Sequence, residues 1–143
     1  MAGVLDGIRV LDFGRYIAGP WCAALLGDFG ADVIRIDKIG GSEDRHVLPM
    51  SEEDNAGAMY LQMNRNKRGM TLNPTTPEGR EVQARMVAQA DVVVANLPEK
   101  ALKALGLDYE TLTAIKPDVI LVSATAFGTT GPYATKVGFD LVA

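Results

Sequence analysis

The residues of this 143-residue sequence that are able to do chemistry are few, and none of them stands in a familiar catalytic pattern. His46, the only histidine, lies in a polar stretch with no second histidine or cysteine near enough to complete a metal cluster, so it reads as a solvated loop side chain. Cys22, the only cysteine, sits among apolar residues and reads as a core thiol rather than a nucleophile. A Ser-His-Asp arrangement would have to recruit His46 from that loop. The sequence has no G-x-G-x-x-G after its first strand, no G-x-x-x-x-G-K-[ST] and no G-x-S-x-G, which removes the usual dinucleotide, phosphate-loop and nucleophile-elbow readings. Glycine and positive charge remain. Asn64-Arg65-Asn66-Lys67-Arg68 packs three cations into five residues and reads either as a solvated basic turn or as a contact to phosphate or carboxylate. With Lys38, Lys103 and Lys136 these cations could ring a site with positive charge, which suits an anionic, nucleotide-like ligand.

Such a ring needs a scaffold, and Gly7 to Lys38 supplies its organising unit. Ile8, Val10, Leu11 and Phe13 form a near-continuous apolar run, the pattern of a strand buried on both faces of a parallel sheet. Gly19 can turn the chain, and Pro20 suits the first position of a covering helix, where its missing N–H costs nothing. Trp21, Leu25 and Phe29 share one face of that helix, and Gly30 ends it before the strand of Val33, Ile34 and Ile36. In open parallel sheets ligands bind beyond the carboxyl ends of strands, so the turn Gly14–Gly19 is the first place to look.

The rest of the chain repeats the alternation. A long polar loop over 39–57 precedes a short strand at Gly69–Leu72. Thr76 caps a helix that has Pro77 at its first position and Val82, Met86 and Ala90 on its buried face. Asp91–Ala95 is another buried strand and brings Asn96 to a strand's carboxyl end. A short helix closed by Gly106 and a second one capped by Asp108 lead to the strand Val119–Val122 and the glycine-rich loop Ala126–Tyr133. The expectation is an α/β fold, a Rossmann-like, doubly wound, mostly parallel sheet, over residues 1–143. Residues 138–143 read as the opening turn of a helix that does not finish, so the chain is expected to be a truncated portion of a larger domain.

Bulk properties narrow the partners. A net charge of −4 argues against nucleic acid or an anionic membrane as the main partner. The single cysteine rules out an internal disulfide, and neither a secretory signal nor an apolar run of about 18 residues is present, which makes the cytoplasm the natural compartment.

The sequence resembles the amino-terminal part of the class III coenzyme A transferases, the group of formyl-CoA transferase and carnitine-CoA transferase that also holds α-methylacyl-CoA racemase. The matching stretches are Leu5–Asp12, Ala18-Gly19-Pro20, Leu26–Ile36, Asn64–Arg68, Thr76–Gly79, Asp91–Asn96, Leu105–Tyr109 and Phe127–Tyr133, in the family's order and spacing. The resemblance implies an aspartate carboxylate that attacks an acyl-CoA thioester to give a mixed anhydride, after which CoA passes to a carboxylic acid. It implies that this aspartate lies beyond Ala143, that CoA and acyl-CoA are substrates with no permanent cofactor or metal, and that the complete subunit forms an interlocked homodimer. An α-methylacyl-CoA racemase-like enzyme and a stand-alone CoA- or nucleotide-binding module are the alternatives.

Residue by residue, the resemblance assigns CoA contacts to Tyr16, Ile17 and Ala18 in the first turn. It assigns the adenosine and phosphate side to Lys38, Leu72, Asn96 and Leu97, and further phosphate contacts to Lys103, Ala104 and Lys136. Two departures stand out: Ala95–Lys100 replaces the family's common E-N-F-R-P-G, and Ala104 stands where arginine is common. Racemase relatives carry a histidine followed by aspartate where this chain has Phe139-Asp140. A phenyl ring cannot exchange a proton, so transferase chemistry fits better. Phe139 is then expected to line the acyl pocket, with Asp140 capping a helix or orienting its neighbours; a core phenylalanine beside a capping aspartate is the other reading.

Overall fold

The apolar run after Gly7 forms β1 (Arg9–Asp12), and the turn that follows leads into α1 (Ala18–Asp28) and back to β2 (Asp32–Asp37). The structure is a computed structural model and describes residues 3–53 and 55–139. A 3₁₀ turn at Glu43–His46, a small antiparallel pair of β3 (Met50–Ser51) and β4 (Ala56–Gly57), and α2 (Ala58–Met63) fill the region expected to be a long loop and its sequel. The chain continues through β5 (Arg68–Thr71), α3 (Pro77–Val87), β6 (Val92–Ala95), α4 (Glu99–Leu105), α5 (Tyr109–Ile115) and β7 (Ile120–Ser123). Caps expected from sequence are in place: the Thr76 side chain accepts from the Gly79 N–H, the Asp108 side chain from that of Thr111, and Gly106 closes α4 at φ 62°.

All five long strands pair in parallel, in the order β5-β2-β1-β6-β7. The chain winds outward from β1 through β2 to β5, then crosses back to β6 on the other flank of β1. The order therefore reverses between β1 and β6, the place where an open α/β sheet offers a crevice. Alternation along the strands divides the core. Leu11, Phe13, Ile36, Val93 and Ala95 pack with Val87 of α3, Leu102 of α4 and Leu112 of α5. Val10, Val33, Val92 and Val94 pack with Ala23 of α1 on the other side. Burial of each large aliphatic side chain is worth roughly 2 kcal/mol, which is why the central strands tolerate no wet face.

The helices settle one open point and correct two expectations. The face of α1 that meets the sheet is Gly19, Pro20, Ala23, Ala24 and Gly27, while Trp21, Leu25 and Phe29 point outward, 39%, 39% and 56% exposed. Spacing by four places those three on one face but does not say which. The helix approaches the strands so closely that a Cβ on Gly27 would sit 3.3 Å from Val33 Cγ2, so only small side chains fit beneath it. Pro20 falls at the third helical position rather than the first, still within the turn whose N–H groups have no intrahelical partner. Likewise α3 buries Gly79, Gln83 and Val87, with Val82 and Met86 only half-buried at the edge of that face.

Candidate functional site

At the switch point the turn after β1 meets the turn after β6. Gly14 has no room for a side chain, since a Cβ there would lie 2.7 Å from Pro20 Cδ and 2.8 Å from Asp12 Oδ1. The next peptide is clamped by Asn96: the Arg15 N–H donates to Asn96 Oδ1 at 2.6 Å, and Asn96 Nδ2 donates to the Arg15 carbonyl at 2.8 Å. Tyr16 then takes a left-handed conformation, φ 59°, which costs a non-glycine residue on the order of 1 kcal/mol. Its N–H donates to Asp44 Oδ2 at 2.9 Å. Beyond it the first N–H groups of α1 have no carbonyl within the helix to bond.

In front of this turn lies a cleft of about 530 Å³. Its floor is Tyr16, Ile17 and Ala18; its walls are Asn96 to Glu99 and the segment from Ala124 to Phe139. The lining is mostly apolar. Phe139, 57% exposed, meets the Tyr16 ring edge-on with centroids 5.5 Å apart. Lys136 also lines the cleft, with its ammonium over the Tyr133 ring at 4.1 Å and no acidic partner among the described residues. Arg15 lines it too, but its Nη1 is turned back onto the carbonyls of Phe13, Gly14 and Ile36. Burial, and then the charge of Arg35, push the Arg15 guanidinium below its ordinary value.

Behind the turn, hidden from the cleft, is a charged network. Arg35, 2% exposed, donates from Nε to Asp37 Oδ1 at 2.9 Å and from Nη2 to Asp44 Oδ2 at 3.0 Å, and its Nη1 stands 3.7 Å from Asp12 Oδ2. Burial pulls its pKa down, but Asp12, Asp44 and Asp37 outweigh that and leave it raised. Asp37 also accepts from Ser42 Oγ at 2.6 Å and from the Tyr60 hydroxyl at 2.8 Å. Burial pushes its carboxyl up; the Ser42 hydrogen bond, the Arg35 charge and the Tyr60 hydroxyl reverse this and hold it below the usual carboxylate range. Lys67, its side chain 1% exposed, donates to Asp12 at 2.8 Å, to the Pro20 carbonyl at 2.8 Å and to Asn64 Oδ1 at 3.0 Å. Burial lowers its pKa, and Asp12 recovers only part of the loss.

The expected ring of cations is thus largely absent from the cleft. Lys67 is buried on Asp12, Arg68 pairs with Asp32 at 2.7 Å, and Arg65 bonds Asp28 and covers the Trp21 ring. The basic run contacts carboxylates of its own chain. Of the positions assigned by resemblance, the structure gathers Tyr16, Ile17, Ala18, Asn96, Leu97, Lys136 and Phe139 around one cleft. Lys38, paired with Glu43, and Leu72, 8% exposed, follow β2 and β5 on the same edge of the sheet but do not line it. Lys103, paired with Glu99 at 2.8 Å, and Ala104 are exposed on α4, also outside it. Asp140 lies outside the described residues.

Sequence reasoning missed Asp44, Arg35, Asp37 and Tyr60. Charged residues inside the apolar strand Val33–Ile36 were the available signal, because a buried charge demands partners. No group of histidine, cysteine, aspartate or glutamate among the described residues is arranged to hold a metal ion, and no described helix is long and apolar enough to cross a membrane.

The sequence profile of CoA-transferase family III matches residues 5–143. The succinate–glutarate CoA-transferase of Agrobacterium fabrum is 41% identical over 144 residues, which cover 96% of this chain and 36% of that protein. The succinyl-CoA–L-malate CoA-transferase beta subunit of Chloroflexus aurantiacus is 40% identical, with 97% of this chain and 34% of that protein covered. A solved CAIB/BAIF family protein from Brucella suis superposes with a TM-score of 0.92 at 42% identity, covering 99% of this chain and 38% of its own. The chain spans about a third of the length of the curated relatives it matches.

Proposed function

This chain belongs to CoA-transferase family III, and from that premise we propose that it forms the CoA-binding part of a subunit that moves CoA between an acyl-CoA and a carboxylic acid. The observation that carries the reading is the cleft at the β1/β6 switch point, whose turn is clamped by Asn96. An apolar slot with backbone polar groups at its floor suits the long amide-bearing arm of CoA, and Lys136 suits its phosphates. Tyr16, Ile17, Ala18, Asn96, Leu97 and Lys136 are the proposed contacts inside the cleft, with Lys38, Leu72, Lys103 and Ala104 along the outer rim. Phe139 is proposed to line the acyl end.

In the complete subunit an aspartate beyond Ala143 attacks the thioester carbonyl. The C–S bond breaks, CoA leaves as its thiolate, and a mixed anhydride remains for exchange with the acceptor acid. The chain described here holds the arm. Because the relatives' names pair succinate with glutarate and with malate, we propose short dicarboxylic acids as the acyl and acceptor class. A cytoplasmic homodimer belongs to the same proposal; the apolar Trp21, Leu25, Phe29 and Ile120 left exposed in this chain support further protein packed against it.

The test incubates the complete subunit with succinyl-CoA and glutarate, and separately with a 2-methylacyl-CoA in deuterated water. Glutaryl-CoA should form in the first, and the second should take up no deuterium next to the thioester. Rapid deuterium uptake without transfer would establish the racemase alternative instead.

A further inference from the structure

We propose that Asp44, which does not line the cleft, is a positioning residue for CoA: it holds Tyr16 in the left-handed conformation that shapes the cleft floor. This rests on the CoA-binding reading above and adds to it a residue that no contact with ligand would reveal.

The argument begins with the cost of the conformation. A tyrosine at φ 59° persists only where its surroundings over-determine it. The preceding peptide is fixed from the β6 side by Asn96. From the β2 side the restraint is the Tyr16 N–H donating to Asp44 Oδ2 at 2.9 Å. Asp44 is itself 1% exposed, and the same oxygen accepts from Arg35 Nη2 at 3.0 Å, with Oδ1 at 3.3 Å from that nitrogen. Arg35 is fixed in turn by Asp37 and Asp12. The amide of a cleft residue is therefore tied to the sheet through a carboxylate that cannot relax into water.

The consequence for the site is direct. The Tyr16 ring meets Phe139 edge-on at the mouth of the cleft, and Ile17 and Ala18 follow at its floor. If Tyr16 leaves the left-handed region, the N–H groups of Ile17 and Ala18 and the Tyr16–Phe139 contact turn away together. Asp44 should then act on acyl-CoA affinity and not on the chemical step.

Two variants separate this role from charge balance alone. Asp44→Ala removes both the acceptor and the charge; Asp44→Asn keeps a carbonyl that can accept the Tyr16 N–H but must share it with Arg35. In steady-state assays of the complete subunit, the acyl-CoA KM should rise about tenfold or more in the alanine variant and only about threefold in the asparagine variant. The kcat and the KM of the acceptor acid should stay within about twofold. Equal effects in both variants would mean that only the charge matters, and an unchanged acyl-CoA KM in either folded variant, or a fall in kcat alone, would overturn the proposal. Should the alanine variant fail to fold, the asparagine variant decides by the same criterion. A wild-type subunit that ignores CoA would remove the transferase reading and this inference together; a wild type that binds CoA as tightly as both variants do would remove only this one.

Discussion

Asp37 shows how a single side chain couples the sheet to the site. It is buried at the end of β2, bonded to Arg35, Ser42 and Tyr60, and its carboxyl is held below the ordinary range. A carboxylate with a depressed folded pKa contributes stability that is full above its unfolded value, here about 3.8, and is lost as pH falls through the lower folded value. Ser42→Ala removes the strongest of its hydrogen bonds and should lower stability at neutral pH by about 1–3 kcal/mol. The gap between wild type and variant should hold constant from pH 7 down to the ordinary carboxylate range and narrow in acid, where Asp37 of the folded variant, without the Ser42 hydrogen bond, takes up its proton at a higher pH than Asp37 of the folded wild type. Urea unfolding across that range reads the gap. One that stays constant to pH 2.5 would show that Ser42 acts through packing and not through the Asp37 charge.

The elements differ in how far their residues announce them. Thr76-Pro77 and Asp108 start helices where their chemistry predicts, because capping is local and needs nothing from the rest of the fold. The buried strands were legible from their apolar runs. α2 was not, because Ala58–Met63 is under two turns long and shows no periodic face; it forms where Tyr60 can bury and reach Asp37. Which face of α1 turns inward was not legible for a related reason: helical spacing groups residues, and only the distance to the sheet decides which group is inside. Among the residues that line the cleft, the strand-end positions 16–18, 96 and 97 were readable from topology. The fate of Arg65, Lys67 and Arg68 was not, because pairing with Asp28, Asp12 and Asp32 is a three-dimensional fact.

Close approach at the start of α1 carries its own prediction. A Cβ on Gly19 would lie 2.7 Å from Asn96 Oδ1 and 2.8 Å from Gly14 Cα, so Gly19→Ala must push Asn96 away from the Arg15 peptide. The contact with the Gly14 backbone cannot be relieved by a side-chain rotation, so the variant should also lose stability. The expected outcome is a protein that folds but melts below wild type by circular dichroism and binds CoA about tenfold more weakly. Unchanged affinity would mean that the Asn96 clamp is not needed to shape the cleft.

On the scale of the whole molecule, the sheet order places the turns after β1 and β6 side by side, and the buried charges of Asp12, Arg35, Asp37, Asp44 and Lys67 fix one of those turns from behind. The cleft in front of those turns is the proposed CoA site. The most direct test of that assignment is amide hydrogen exchange of the complete subunit with and without CoA, read by mass spectrometry over peptides of this chain. CoA should slow exchange in the peptides covering Tyr16–Ala18, Asn96–Leu97 and Lys136–Phe139, and leave those covering α3 and β5 unchanged. Protection confined to the groove between α3 and the β2/β5 face, around Arg9 and Arg85, with the 16–18 turn unaffected, would contradict the assignment of the cleft.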